Sequence, residues 1–114
     1  MVTLIGMGSG SWETLSVQAQ DAVRRAGLVF GAKRLLAGLP PECTARQFAL
    51  YQPAEILETL AQAPGQDAAV LYSGDTGFYS GASGLLTPLR ALGIPARVYP
   101  GVSSIQLLAA ALLQ

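Results

Sequence analysis

The sequence predicts an α/β fold, a mostly parallel open sheet of about five strands with helices on both faces. Short apolar runs typical of buried strands alternate with amphipathic segments along the chain. Glycine- and serine-rich turns follow three of these runs, as expected where a strand leads into a helix. The 114 residues, 51% of them hydrophobic and 12% charged, are enough for one domain with a sizeable core.

The first half of the chain contains three candidate strands. Residues 2–5 form an apolar run that ends in a glycine turn, and a hydroxyl within residues 14–16 is placed to cap a helix over 17–26. The later elements of this half are a strand at 28–30, one or two helical turns at 33–36, a weakly patterned strand at 44–50 and a helix from Pro53 to about residue 63.

The second half continues the same alternation. We expect strands at 68–72 and 96–99, and a helix at 79–92 that Gly93 ends. A last helix begins at Ser103 and reaches Gln114 without the signals that usually end a helix. We therefore expect the natural chain to continue beyond this residue.

Charge and residue usage exclude several classes of function. Seven basic and seven acidic residues cancel, so the chain lacks the basic surface of a nucleic-acid binder. The absence of histidine excludes a histidine-dependent triad and, with a single cysteine, argues against a zinc site. No apolar run is long enough for a membrane span and the first residues carry no basic leader, so we expect a cytoplasmic protein without a bound metal.

Three glycine-containing turns are the candidate ligand site. They lie at residues 6–11 (GMGSGS), 73–77 (SGDTG) and 99–104 (YPGVSS), each directly after a predicted strand. Ligands of parallel sheets bind beyond the carboxyl ends of the strands, and glycine lets backbone N–H groups approach a ligand closely. We therefore expect these turns to open onto one site.

The first turn does not match the standard nucleotide-binding loops. Its third glycine comes one place early for a dinucleotide fingerprint, and no acidic residue follows the second strand to hold a ribose. A Gly-Lys-Ser/Thr phosphate loop is also absent. The turn is either a ligand loop or a tight connection between strand and helix.

The other two turns also allow a purely structural interpretation. Asp75 and Thr76 are placed to cap the following helix, and Ser103 and Ser104 to cap the last one. Phe78 fits equally well in the core or against an adenine ring. In the functional interpretation, the turn around Asp75 faces a polar or cationic ligand and the two serines hold a carboxylate.

In this order and spacing, the three motifs resemble those of the tetrapyrrole methylase family, whose members use S-adenosyl-L-methionine to methylate porphyrin and corrin precursors. The resemblance extends over nearly the whole chain. Residues 29–36 (VFGAKRLL) and 73–79 (SGDTGFY) are most similar to the branch of cobalamin biosynthesis that methylates carbon 5 of precorrin-6Y or cobalt-precorrin-7. Ser9 and Ser11 replace the proline and aspartate of many relatives.

The resemblance implies that residues 1–114 are the N-terminal domain of a two-domain methyltransferase whose second domain lies outside this chain. It implies donor binding by seven residues of the three turns: Ser9, Ser73, Gly74, Asp75, Phe78, Ser103 and Ser104. It assigns no catalytic residue, and the isolated domain is expected to be inactive. The partners it implies are a corrin precursor and the missing C-terminal domain, while the high apolar content favours a homo-oligomer.

Two other functions are compatible with the same motifs. Another enzyme of this fold, such as a diphthamide or ribosomal RNA methylase, has the same donor site with a different acceptor. A non-catalytic nucleotide-binding module would bind the donor product S-adenosylhomocysteine without transferring a methyl group.

Overall fold

The computed structural model describes residues 1–7, 12–72 and 77–99 of the chain, and within them strands and helices alternate. The strands are β1 (Val2–Gly6), β2 (Leu28–Phe30), β3 (Arg46–Phe48), β4 (Ala68–Tyr72) and β5 (Ala96–Tyr99). The helices are α1 (Val17–Arg25), α2 (Lys33–Leu36), α3 (Pro53–Ala61) and α4 (Gly77–Ala91), with a single 3-10 turn at Trp12–Thr14. Of the described helices, none has the length and apolar character that a membrane span requires.

All five strands belong to one sheet in the order β3-β2-β4-β1-β5, and every neighbouring pair is parallel. The central strand pairs are in register, so that Ile5 of β1 lies between Leu71 of β4 and Tyr99 of β5. This arrangement confirms the predicted α/β class and the open parallel sheet.

Helices cover the sheet on both sides, and the alternation along each strand separates two cores. Val2 and Leu4 face a core that α3 and α4 complete, while Ile5 and Met7 face a core that α1 and α2 complete. We call these sides the α3/α4 face and the α1/α2 face. The central strands β1 and β4 are buried along their whole length, as expected for parallel strands covered on both faces.

The local signals for helix starts and ends act as predicted. The Ser16 hydroxyl accepts a hydrogen bond of 3.2 Å from the N–H of Ala19 and so caps α1. Pro53 occupies the first turn of α3, and Gly93 follows α4 with a φ of +72° that other residues rarely adopt.

The main differences from the sequence prediction are in β3 and α4, while the other bounds agree to within two residues. The predicted strand at 44–50 is reduced to β3, because its only neighbour, β2, has three residues and offers no longer ladder. Helix α4 begins at Gly77, two residues earlier than expected, and contains Pro88 near its end. Because proline lacks an N–H group, one hydrogen bond is lost in the last turns of α4 without ending the helix.

Candidate functional site

The carboxyl ends of β4, β1 and β5 lie side by side at one edge of the sheet. Gly6 at the end of β1 is paired with Tyr72 at the end of β4, and Tyr99 ends β5 on the other side. Neighbouring strands are about 4.8 Å apart, so the ends of β4 and β5 are separated by about 10 Å. The three glycine-containing segments of the sequence leave the sheet from these three ends.

The connections from β1 and β4 lead to opposite faces of the sheet. The chain after β1 continues to α1 on the α1/α2 face, and the chain after β4 continues to α4 on the α3/α4 face. Adjacent parallel strands whose connections diverge in this way leave a crevice between their carboxyl ends, where open α/β sheets bind ligands. The junction of β1 and β4 is therefore the candidate site.

Met7 and Tyr72 form the described floor of this crevice. The N–H of Met7 donates a hydrogen bond of 2.7 Å to the carbonyl oxygen of Tyr72, and the Met7 side chain is fully buried on the α1/α2 face. The Tyr72 side chain is buried on the α3/α4 face, and this burial raises its pKa to about 12. The phenol is thus neutral at physiological pH.

Six of the seven predicted donor-binding residues lie outside the described residues: Ser9, Ser73, Gly74, Asp75, Ser103 and Ser104. The seventh, Phe78, is the second residue of α4. Ser73 follows Tyr72 directly in the chain. The assignment of these seven residues to the donor remains a prediction.

A cluster around Trp12 anchors the chain just after the first glycine turn. The Gln20 side chain donates a hydrogen bond of 3.0 Å to the Trp12 carbonyl oxygen, and the Arg24 guanidinium lies 5.5 Å from the centre of the indole ring. Glu42 accepts hydrogen bonds of 3.2 and 3.0 Å from Arg24, and they are the main reason that the pKa of Arg24 is raised. No local sequence pattern indicates this cluster, because Arg24 and Glu42 are 18 positions apart.

Cys43 is not part of the crevice. Its side chain is buried in the core of the α1/α2 face, and burial raises the pKa of the thiol above its usual value. A buried, protonated thiol is a poor nucleophile. Among the described residues, His, Cys, Asp and Glu form no group of three or more that would hold a metal ion.

Two larger cavities occur away from the junction of β1 and β4. One, of about 420 Å³, lies beside α1 and includes Met1, Thr3 and Asp67 in its lining. The other, of about 410 Å³, lies between the ends of α3 and α4 and includes Gly65 and Gly93. Among the described residues, the first cavity is lined mainly by α1 and by residues at or before the strand starts, with Tyr99 at the end of β5, and the second mainly by α3 and by the connections that lead into β4 and β5.

Comparison with known proteins finds one family model, described as Tetrapyrrole (Corrin/Porphyrin) Methylases, that matches residues 1–114. The chain is 34% identical to a precorrin-4 C(11)-methyltransferase of Mycobacterium tuberculosis, over 97% of this chain and 47% of the relative. It is 33% identical to the Pseudomonas aeruginosa enzyme of the same name, over 90% of this chain and 44% of the relative.

Solved structures show the same similarity. The uroporphyrin-III-C-methyltransferase of Thermus thermophilus superposes with a TM-score of 0.69 at 30% identity, covering 96% of this chain and 51% of that one. The methyltransferase CobJ superposes with a TM-score of 0.72 at 26% identity, covering 96% and 49% of the two chains. The chain spans about half the length of the relatives it matches.

Proposed function

Because the chain belongs to the tetrapyrrole (corrin/porphyrin) methylase family, we propose that it forms the donor-binding, N-terminal domain of a two-domain S-adenosyl-L-methionine-dependent methyltransferase. The acceptor is a ring carbon of a corrin precursor in cobalamin biosynthesis. The main structural support is the junction of β4, β1 and β5, from which all three glycine-containing segments leave. Since the relatives are about twice as long, we assign the other half of the cleft to a C-terminal domain beyond these residues.

The described part of the crevice supplies backbone at the strand ends to the donor site. The last described residues there are Met7, Tyr72 and Tyr99. The Met7 and Tyr72 side chains are buried in the two cores, and the Tyr99 hydroxyl accepts a hydrogen bond of 3.3 Å from the Arg97 guanidinium.

The seven predicted residues then have separate roles around the donor. Ser73 and Gly74 present backbone groups at the end of β4, and the Asp75 carboxylate favours the positive charge. Ser103 and Ser104 hold the carboxylate of the donor with their hydroxyl groups. Phe78 flanks the adenine, and Ser9 belongs to the loop between donor and acceptor.

Positioning accounts for the chemistry. The donor supplies a methyl group on a sulfonium, which is already a good leaving group. The protein has to hold the methyl carbon about 3–3.5 Å from the ring carbon and in line with the bond that breaks. The ring carbon supplies the electron pair of the new carbon–carbon bond, and the sulfur–methyl bond breaks with its pair staying on sulfur in S-adenosylhomocysteine. The positive charge passes to the tetrapyrrole, which releases a proton. Backbone and hydroxyl groups suffice for this task, which agrees with a chain that contains no histidine.

We assign the methyl transfer to carbon 5 of precorrin-6Y or cobalt-precorrin-7. This finer assignment is supported by residues 29–36 and 73–79, whose sequences resemble that branch of the family. Carbon 11 of precorrin-4 is the second candidate, because relatives that match over most of this chain are named for that reaction.

Isotope labelling separates the two acceptors. The full-length protein is incubated with S-adenosyl-L-methionine carrying a ¹³C-labelled methyl group and with either precursor, and NMR locates the label. We expect label at carbon 5 of precorrin-6Y. Label at carbon 11 of precorrin-4 would establish the second candidate, and no transfer to either precursor would overturn the assignment to corrin chemistry.

Self-association is a separate part of the proposal. Its support is the high apolar content together with exposed apolar side chains such as Val17 and Leu92. Light scattering over a range of concentrations is expected to show a dimer or larger species, and a constant monomer mass would contradict it.

A further inference from the structure

A small pocket opens beside the crevice, between α2 and the end of β4. It has a volume of about 210 Å³ and is lined by Ala32, Arg34, Leu35, Tyr51, Leu71 and Tyr72. We call it the α2 pocket. Because Tyr72 is also part of the crevice floor, a ligand in the crevice can extend an arm into this pocket.

Gly31 brings α2 close enough to β4 to form the pocket. A Cβ added at Gly31 would lie 3.2 Å from the Leu71 Cβ and 3.3 Å from its carbonyl oxygen, closer than most side chains tolerate. The lack of a side chain therefore lets the start of α2 lie directly on β4. Arg34 follows three positions later and reaches the pocket from the exposed side of α2.

The pocket combines an apolar floor with a cationic side chain. Leu35 and Leu71 are buried, whereas Arg34 and Tyr51 are exposed. Within the part of the chain that the structure describes, the Arg34 side chain forms neither an ion pair nor a hydrogen bond, and the pocket is lined by no Asp or Glu. The guanidinium is thus available to an anion, and its planar fork suits a carboxylate.

The size of the pocket fits an arm of a ligand and not a whole ligand. Pockets that hold complete small molecules measure about 300–1,000 Å³. A short aliphatic chain that ends in a carboxylate matches both the apolar floor and the charge of Arg34. Tyr72 stays neutral beside it, because burial keeps its phenol protonated.

We propose that the α2 pocket is a subsite for a carboxylate-bearing arm of the tetrapyrrole acceptor, with Arg34 as the residue that holds the carboxylate. The proposal rests on the proposed function, since acetate and propionate arms are what a corrin or porphyrin precursor presents at its periphery. It gives Arg34, within the stretch that resembles the carbon-5 branch, a role in acceptor binding that is separate from donor binding.

Binding measurements on the full-length protein test the assignment. The probes are uroporphyrin III, followed by its own fluorescence, and S-adenosylhomocysteine, followed by calorimetry. The variants are Arg34→Gln, Arg34→Lys and the matched control Arg90→Gln, which removes the same charge from an exposed position in the last turn of α4. Circular dichroism verifies that all variants are folded.

We expect Arg34→Gln to weaken uroporphyrin III binding by about five- to tenfold, the range for a charge-assisted hydrogen bond at a partly exposed site. Arg34→Lys should lose less, because it keeps the charge but not the two-pronged contact. Arg90→Gln should bind like the wild type, and S-adenosylhomocysteine affinity should stay within about twofold in every variant.

The other possible results distinguish failure of the subsite from failure of the proposed function. Equal porphyrin affinities of Arg34→Gln and Arg90→Gln would overturn the subsite, and so would an equal loss of both ligands in Arg34→Gln. In both cases the proposed function stands as long as the wild type binds S-adenosylhomocysteine and transfers methyl groups. A wild type that binds neither probe would overturn the proposed function and the subsite with it.

Discussion

The N–H of Met7 donates a hydrogen bond of 2.7 Å to the carbonyl oxygen of Tyr72, one residue beyond the end of β1. This bond continues the parallel ladder to the point where the two chains diverge toward opposite faces. It keeps Met7, within the first glycine-containing segment, next to Tyr72, the last residue before the second. The opening of the crevice is therefore defined by backbone hydrogen bonding on buried strands.

Tyr72 should make the fold sensitive to alkaline pH. Its folded-state pKa is about 12, above the ordinary value of about 10, so between these values only the unfolded chain loses the proton. The free energy of unfolding should then fall as pH rises from 10 to 12, by up to about 2 kcal/mol. Urea denaturation at several pH values measures this fall.

The variant Tyr72→Phe provides the control for that series. It has no proton to lose at this position, so its stability should decline less steeply over the same pH range. Parallel curves for the wild type and Tyr72→Phe would show that the buried phenol does not cause the decline.

Gly31→Ala should destabilise the fold. The added Cβ would lie within 3.2 to 3.3 Å of two Leu71 atoms, so α2 or β4 has to shift by a few tenths of an ångström. We expect a loss of about 1 kcal/mol in the free energy of unfolding, at the low end for overpacking. Urea denaturation is the appropriate measurement.

Gly84→Ala is the matched control and should have the opposite sign. Gly84 is exposed within α4, and its added Cβ would make only an ordinary contact of 3.7 Å with Pro53. Replacing a helical glycine by alanine usually stabilises by about 0.5–1 kcal/mol. A Gly31→Ala protein as stable as the wild type would contradict the close approach of α2 to β4.

The sequence was most informative where a short apolar run lies between turn residues. For this reason β2, β4 and β5 have the predicted bounds. It was least informative for β3, an edge strand with exposed Arg46 and Gln47 that is held by pairing to β2 and not by its own pattern. Strand order could not be predicted, because it depends on long-range pairing.

The candidate site was likewise predictable where it depends on local patterns and not where it depends on packing. The glycine-containing turns were identifiable because each follows a recognisable strand, and parallel pairing then brought β4, β1 and β5 together at one edge. The α2 pocket was not predictable, because it depends on the closeness of Gly31 to Leu71, about 40 positions along the chain. Local patterns predict which segments are candidates for binding, while packing determines what lies beside them.

Asp75→Asn should weaken donor binding if its carboxylate faces the sulfonium. The substitution keeps the size of the side chain and removes the charge. Because S-adenosylhomocysteine lacks the sulfonium, we expect its affinity to fall less than that of S-adenosyl-L-methionine. A loss of about tenfold for the latter is typical of a charged polar contact. Calorimetry on the full-length protein measures both affinities.

Asp67→Asn makes the same change at the other edge of the sheet and serves as the control. The Asp67 carboxylate is exposed and lies 3.5 Å from the amino group of Met1. We expect Asp67→Asn to leave the affinities for S-adenosyl-L-methionine and S-adenosylhomocysteine unchanged. Unchanged affinities for Asp75→Asn as well would remove Asp75 from the donor site.

Trp12 should report on the first glycine-containing segment, because it follows residue 11 directly and is the only tryptophan of the chain. Arg24→Gln takes the guanidinium off the indole ring and also removes the ion pair with Glu42. We expect the fluorescence emission of Trp12 to move to longer wavelength as the ring becomes more exposed. Arg25→Gln, an exposed change on the same helix, should leave the emission unchanged.

The same emission tests whether the Trp12 cluster holds this segment in place for the donor. In that case S-adenosylhomocysteine should alter the emission of the wild type more than that of Arg24→Gln. Identical responses of the two proteins would show that the Trp12 cluster is not coupled to ligand binding.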